Sequence, residues 1–120
     1  MTSEVVWVDL PVIDLKRAII FYQKITASNF HQFNQYVAAL DHKPGLASIC
    51  LFESEDEKPS QEGALIYISL SQPIDQAMLM IEDLGGSIIR PLHIIQPYGK
   101  RAIILDSEGN RIALHESIES

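Results

Sequence analysis

Val5-Val-Trp-Val-Asp-Leu-Pro-Val12 is an apolar, largely β-branched run, and the residues after it change period at once. From Asp14 onward, Leu15, Ala18, Ile19, Tyr22 and Ile25 fall at the spacing of one helix face. The Asp14 carboxylate can accept from an orphan first-turn N–H, which makes it the expected N-cap. The same order recurs later. Leu65-Ile-Tyr-Ile-Ser-Leu70 is a second apolar strand, Pro73 enters a second helix, and Ile74, Ala77, Met78, Ile81 and Leu84 supply its face. Gly85-Gly86 closes that helix, because glycine takes the left-handed position after a helix without a Cβ penalty. Each half then continues in strands, expected over Phe33–Leu40 and Leu46–Phe52 in the first and over Ser87–Leu92, Arg101–Asp106 and Arg111–Glu116 in the second. Ser107-Glu108-Gly109-Asn110 turns the last two into a hairpin.

Between the halves, Glu53 to Gly63 is acidic, contains Pro59 and has no apolar period, so it reads as a solvated linker. The expected architecture is α+β: two tandem β-α-β-β-β modules in a single domain over residues 1–120. Module one covers about 5–53, the linker about 54–63 and module two about 64–116. A ferredoxin-like sandwich needs fewer strands than this pattern supplies.

The 120 residues carry 47% hydrophobic and 21% charged side chains, the usage of a globular chain rather than a disordered or collagen-like one. Nine Lys+Arg against 16 Asp+Glu give a net charge of −7, and no basic stripe offsets it, so nucleic acid is not an expected partner. No apolar run approaches the length of a membrane-spanning helix, so no membrane partner is expected either. Met1-Thr2-Ser3-Glu4 lacks the features of a secretory leader, and Cys50 is the only cysteine. The expected location is the cytoplasm.

Strand alternation sorts side chains onto two faces. Val6, Val8, Leu10 and Val12, with Ile49 and Leu51, Ile66, Ile68 and Leu70, and Ile112 and Leu114, form an aliphatic face suited to packing under the helices. The other face carries Trp7, Asp9, Pro11, Ser48, Cys50, Phe52, Leu65, Tyr67, Ser69, Ala113 and His115. Aromatic walls with sparse polar groups are the chemistry of a ligand groove, though a second core layer or a dimer contact would use the same pattern.

Two stretches carry a family resemblance. Leu10-Pro-Val-Ile-Asp-Leu-Lys-Arg-Ala-Ile-Ile-Phe-Tyr22 and Leu105-Asp-Ser-Glu-Gly-Asn-Arg-Ile-Ala-Leu-His115 resemble the opening and the closing hairpin of the glyoxalase / bleomycin-resistance / extradiol-dioxygenase superfamily, the vicinal oxygen chelate proteins. The resemblance implies modules whose strands curl into a half-barrel around one site, commonly in a homodimer. It also implies up to four His, Glu or Gln metal ligands, at positions that fall here on Trp7, Leu65, Ala113 and near Cys50. Trp, Leu and Ala offer no donor to a metal ion, and one thiolate does not hold one, so no metal and no cofactor is expected. An atypical set of Asp9, Cys50 and His115 is the remaining metal option.

Two functions follow. One is a metal-independent protein that binds a small molecule in the groove, as bleomycin-resistance members sequester drugs. Its ligand residues are Trp7, Asp9, Cys50, Phe52, Tyr67, Tyr98 and His115, with Tyr98 on the Pro97-Tyr98-Gly99 loop as a lid. The other is a lyase, isomerase or dioxygenase that uses atypical ligands or His115 as acid and base, since imidazole suits proton transfer near neutrality. The acidic balance favours cationic or amphiphilic guests.

Overall fold

A computed structural model describes residues 2–117. Met1, where the leader reading starts, and residues 118–120 lie outside it. Strand β1 (Trp7–Val12) leads through Asp14 into helix α1 (Leu15–Thr26). The Asp14 side chain accepts from the Arg17 amide at 3.1 Å, so the expected cap forms. Strands β2 (Phe30–Gln32), β3 (Val37–Leu40) and β4 (Ser48–Glu53) complete the first half. The second half repeats the order with β5 (Ile66–Ser69), α2 (Ile74–Met78), β6 (Ser87–Ile95), β7 (Gly99–Leu105) and β8 (Arg111–Glu116).

Each half is a four-stranded sheet, in the orders β1-β4-β3-β2 and β5-β8-β7-β6. In each, the first strand lies parallel to the last and the remaining neighbours are antiparallel. The chain therefore has two matching β-α-β-β-β modules, with a helix crossing between parallel strands as that pairing demands. The repeat extends to the caps. Glu53, ending β4, accepts from the first amide of α1 (Leu15, 3.0 Å), and Glu116, ending β8, accepts from the first amide of α2 (Ile74, 2.8 Å).

Several element limits differ from the sequence reading, and the clearest differences have local reasons. Val5 and Val6 precede β1, because the parallel partner β4 starts at Ser48 opposite Trp7 and leaves them unpaired. The single strand expected over Phe33–Leu40 is broken by a turn, where the Asn34 side chain accepts from the Tyr36 amide at 2.8 Å. The short β2 ahead of that turn pairs with β3. Helix α2 ends at Met78, and the apolar period persists through successive turns that keep Ile81 buried. Gly85 closes those turns at φ 95°, and at Gly86 a Cβ would stand 2.6 Å from the Leu105 carbonyl oxygen.

One core serves both modules. Leu10, Val12, Ile49 and Leu51 from the first sheet and Ile68, Ile104, Ile112 and Leu114 from the second join the inner sides of both helices. A polar clamp binds the halves at one end. Glu108, in the β7–β8 turn, accepts from the amides of Ile13 and Asp14 and from the Arg17 guanidinium. Asn110 donates to the Pro11 carbonyl, and Asp106 accepts from the buried Tyr22 hydroxyl. At the other end of α1, Gln72 donates to the carbonyls of Lys24 and Ile25. Among the described residues no helix is long and apolar enough to cross a membrane.

Candidate functional site

The sheet faces away from the helices are built by register. In the first sheet, Trp7 stands opposite Ser48, Asp9 opposite Cys50 and Pro11 opposite Phe52, so Trp7, Asp9, Cys50 and Phe52 share one face. In the second, Tyr67 stands opposite Ala113 and Ser69 opposite His115, and across β7 Arg101 stands opposite both His115 and His93. Ala113 and Cys50 are buried without joining the cluster beneath the helices, whereas Trp7 and Tyr67 stay 39% and 46% exposed. Leu65 precedes β5 rather than lying within it.

On the first face the Cys50 thiol is pushed up by burial and then by the nearby Asp9 carboxylate, with the Trp7 indole partly offsetting them. It is therefore a protonated packing group rather than a nucleophile. Trp7 meets His42 edge to face, with ring centroids 5.8 Å apart. The other face is more polar. Arg101 donates from Nε to His93 Nε2 at 2.9 Å and from Nη1 to the Tyr67 hydroxyl at 2.6 Å. His93 Nδ1 lies 2.8 Å from the Pro91 carbonyl, which can only accept, so Nδ1 carries the proton and Nε2 the lone pair offered to Arg101. His115 Nε2 lies 2.9 Å from the Tyr98 carbonyl and donates to it by the same logic. This contact ties His115 to the loop bearing the exposed Tyr98 and away from Asp9, which belongs to the other sheet.

A cavity of about 590 Å³ opens along the seam where β5 passes the ends of β3 and β4 and the C-terminus of α1. Its walls are aliphatic (Val8, Leu40, Ile49, Ile66, Ile68), with Thr26, Ser28, Ser48, Ser69 and Ser71 also in the lining, where the Thr26 and Ser48 hydroxyls donate to the carbonyls of Tyr22 and Leu40. The loop carrying Asp41, His42 and Lys43 forms one side. Of the seven candidate ligand residues, Tyr67 lines this cavity, and Trp7 adjoins it through His42. Asp9, Cys50, Phe52, Tyr98 and His115 lie on the sheet faces outside it. A smaller cleft of about 260 Å³, beside Ile13, Tyr36 and Glu55, includes the Glu53 already committed to capping α1.

Sequence reasoning places Ser48 and Ser69 on the groove face but gives no role to Arg101, the loop at His42, Thr26, Ser28 or Ser71. Arg101 was within reach: the Ser107–Asn110 turn fixes the hairpin register, and that register sets Arg101 opposite His115. The seam could not be read from alternation, because it depends on how two separate sheets approach one another.

A metal of the kind the resemblance implies does not fit these residues. Trp7, Leu65 and Ala113 have no donor atom for it, and Cys50 favours its protonated form. Asp9 and Cys50 belong to one sheet and His115 to the other. Among the described residues no three His, Cys, Asp or Glu stand close enough to share an ion.

No family model and no curated protein matches this sequence. Solved structures match its fold over nearly the whole chain. A glyoxalase/bleomycin resistance protein/dioxygenase family enzyme from Burkholderia phytofirmans PsJN superposes with a TM-score of 0.74 at 16% identity, covering 97% of this chain and 100% of its own. A glyoxalase-related enzyme from Fulvimarina pelagi gives 0.76 at 12% identity, over 97% and 89%. A glyoxalase/bleomycin resistance protein from Albidiferax ferrireducens T118 gives 0.74 at 15%, over 97% and 100%. The chain thus has the glyoxalase-like fold.

Proposed function

We propose that this protein binds a small apolar molecule without the help of a metal, in the seam cavity and against the adjoining sheet faces. The observation that carries the reading is the cavity itself. About 590 Å³ of aliphatic wall with scattered hydroxyls matches the size and chemistry of small-molecule sites, where apolar area gives affinity and a few polar groups give orientation. The donor chemistry supports the metal-free part, because the positions at which the resemblance places ligands hold Trp7, Leu65 and Ala113. Tyr67, which lines the cavity, and Trp7, which adjoins it through His42, are the proposed contacts in the seam, and Asp9, Cys50, Phe52, Tyr98 and His115 are contacts only for a ligand that extends along the sheet faces.

Trp7 is the sole tryptophan and packs on His42 of the cavity loop, so its emission reports occupancy. Titration with a diverse ligand set is expected to give saturable emission changes that persist in excess chelator. A response abolished by chelation and restored by zinc, nickel or manganese overturns the metal-free reading, and silence toward every compound overturns the binding reading.

A homodimer is proposed as well. Strand β6 is one of the two edge strands of its sheet and exposes Ile88, Ile89, Leu92 and Ile94, apolar side chains that pairing with a second copy would cover.

A further inference from the structure

Among the described residues, the second sheet face holds a cation with no ion-pair partner. Arg101 is half-buried, and its two hydrogen bonds go to neutral groups, His93 Nε2 and the Tyr67 hydroxyl. Neither ion pair among the described residues includes it: Arg17 pairs with Glu108, and Lys100 with Glu116. The His93 and Tyr67 contacts hold the guanidinium in place through Nε and Nη1, and Nη2 makes no hydrogen bond to the described residues. The single Nε proton is spent on His93, which closes the side-on fork of Nε and Nη2, and what is left for a carboxylate is the end-on pair of Nη2 and the second Nη1 proton. Tyr67 also stands within cation–π range, with its ring centroid 5.9 Å from the Arg101 guanidinium carbon. Because Tyr67 accepts from Arg101, its own O–H remains to donate, and the same residue lines the seam cavity.

We propose that Arg101 and Tyr67 form the anion-binding end of the ligand site, so that the protein selects an apolar molecule carrying a carboxylate. The hydrocarbon body lies in the seam against Ile66 and Ile68, and the acid group meets Arg101 and the Tyr67 hydroxyl where cavity and face join. The proposal rests on the cavity reading above. It also runs against the expectation from net charge: at −7 the whole molecule attracts cations, and Asp41 lines the seam beside Lys43, but the acid group is placed at Arg101, whose charge has no ion-pair partner among the described residues.

The test is calorimetric titration with a panel of aryl- and alkyl-carboxylates such as 4-phenylbutyrate, each run against its matched primary amide. The acids are expected to bind about tenfold or more tightly than the amides, the scale of a desolvated charge-assisted pair. Arg101→Gln is expected to bring acid and amide affinities together, whatever it costs both, and Arg101→Lys to keep part of the preference. Equal affinity for acid and amide, or a preference that survives Arg101→Gln, overturns the anionic subsite and leaves the cavity reading standing. Failure of every pair to bind overturns both.

Discussion

Glu108 shows how much one buried carboxylate does here. Burial by itself would raise its pKa, but the donors from Arg17, the Asp14 amide, Ser107 and the Ile13 amide outweigh it and hold the carboxyl below its usual range. The unfolded chain therefore binds more protons in the interval below about pH 4.3, and stability rises with pH through it. The Glu108 contribution is complete above that interval and is lost as pH falls through the folded-state value. Asp106 behaves oppositely. Burial raises its pKa, and the bonds from Tyr22, Asn110 and Glu108 only partly offset this, so keeping it charged costs stability that acid relieves. Glu108→Gln is expected to cost about 2 kcal/mol at pH 7, in the range of hydrogen bonds to a charged group. It should also flatten the acid limb of stability against pH, read by urea unfolding between pH 3 and 7; an unaltered acid limb would assign that limb to other groups. The stretch from Leu105 to His115 drew notice in the sequence as a resemblance, yet only the coordinates reveal that Asp106, Glu108 and Asn110 clamp the modules. Their partners lie far off in the chain, and no local pattern encodes them. Asp14 was legible because its partner is three residues away.

The helices and strands follow rules that a sequence exposes unevenly. Alternation placed the aliphatic face of β1, β4, β5 and β8 under the helices except at Val6, which precedes β1 and is exposed because it has no strand partner. It gave less on β2, three residues long, and on β6, whose pairing with β7 shifts register twice and leaves most of its side chains exposed. Helix α1 ends on Ala27 at φ 56°, a left-handed position that costs a residue with a Cβ about 1 kcal/mol or more and glycine nearly nothing. Ala27→Gly is accordingly expected to stabilise the protein by about 0.5–1 kcal/mol, a rise of a few degrees in Tm. A lower Tm would mean that the helix stop is set by the Ser71 and Gln72 contacts rather than by the cap conformation.

The two modules share one core and one clamp, and the seam cavity, the proposed ligand site, lies where their sheets meet. This explains why the fold was readable from an internal repeat while the cavity was not: a repeat describes each module, whereas the seam belongs to their arrangement. If the β6 edge joins two copies, light scattering should give twice the monomer mass, and Ile94→Glu should return it to the monomer; a wild-type monomer at high concentration removes the dimer. The account as a whole turns on what occupies the seam. Amide chemical-shift mapping by NMR, on labelled protein with a bound hit compound and excess chelator, addresses this directly. The account predicts shifts concentrated on β5 at Ile66–Ser69 and on the loop at Asp41–Lys43, with β2 and the linker unmoved. Shifts confined to surfaces remote from β5, or shifts that vanish when chelator is added, would contradict it.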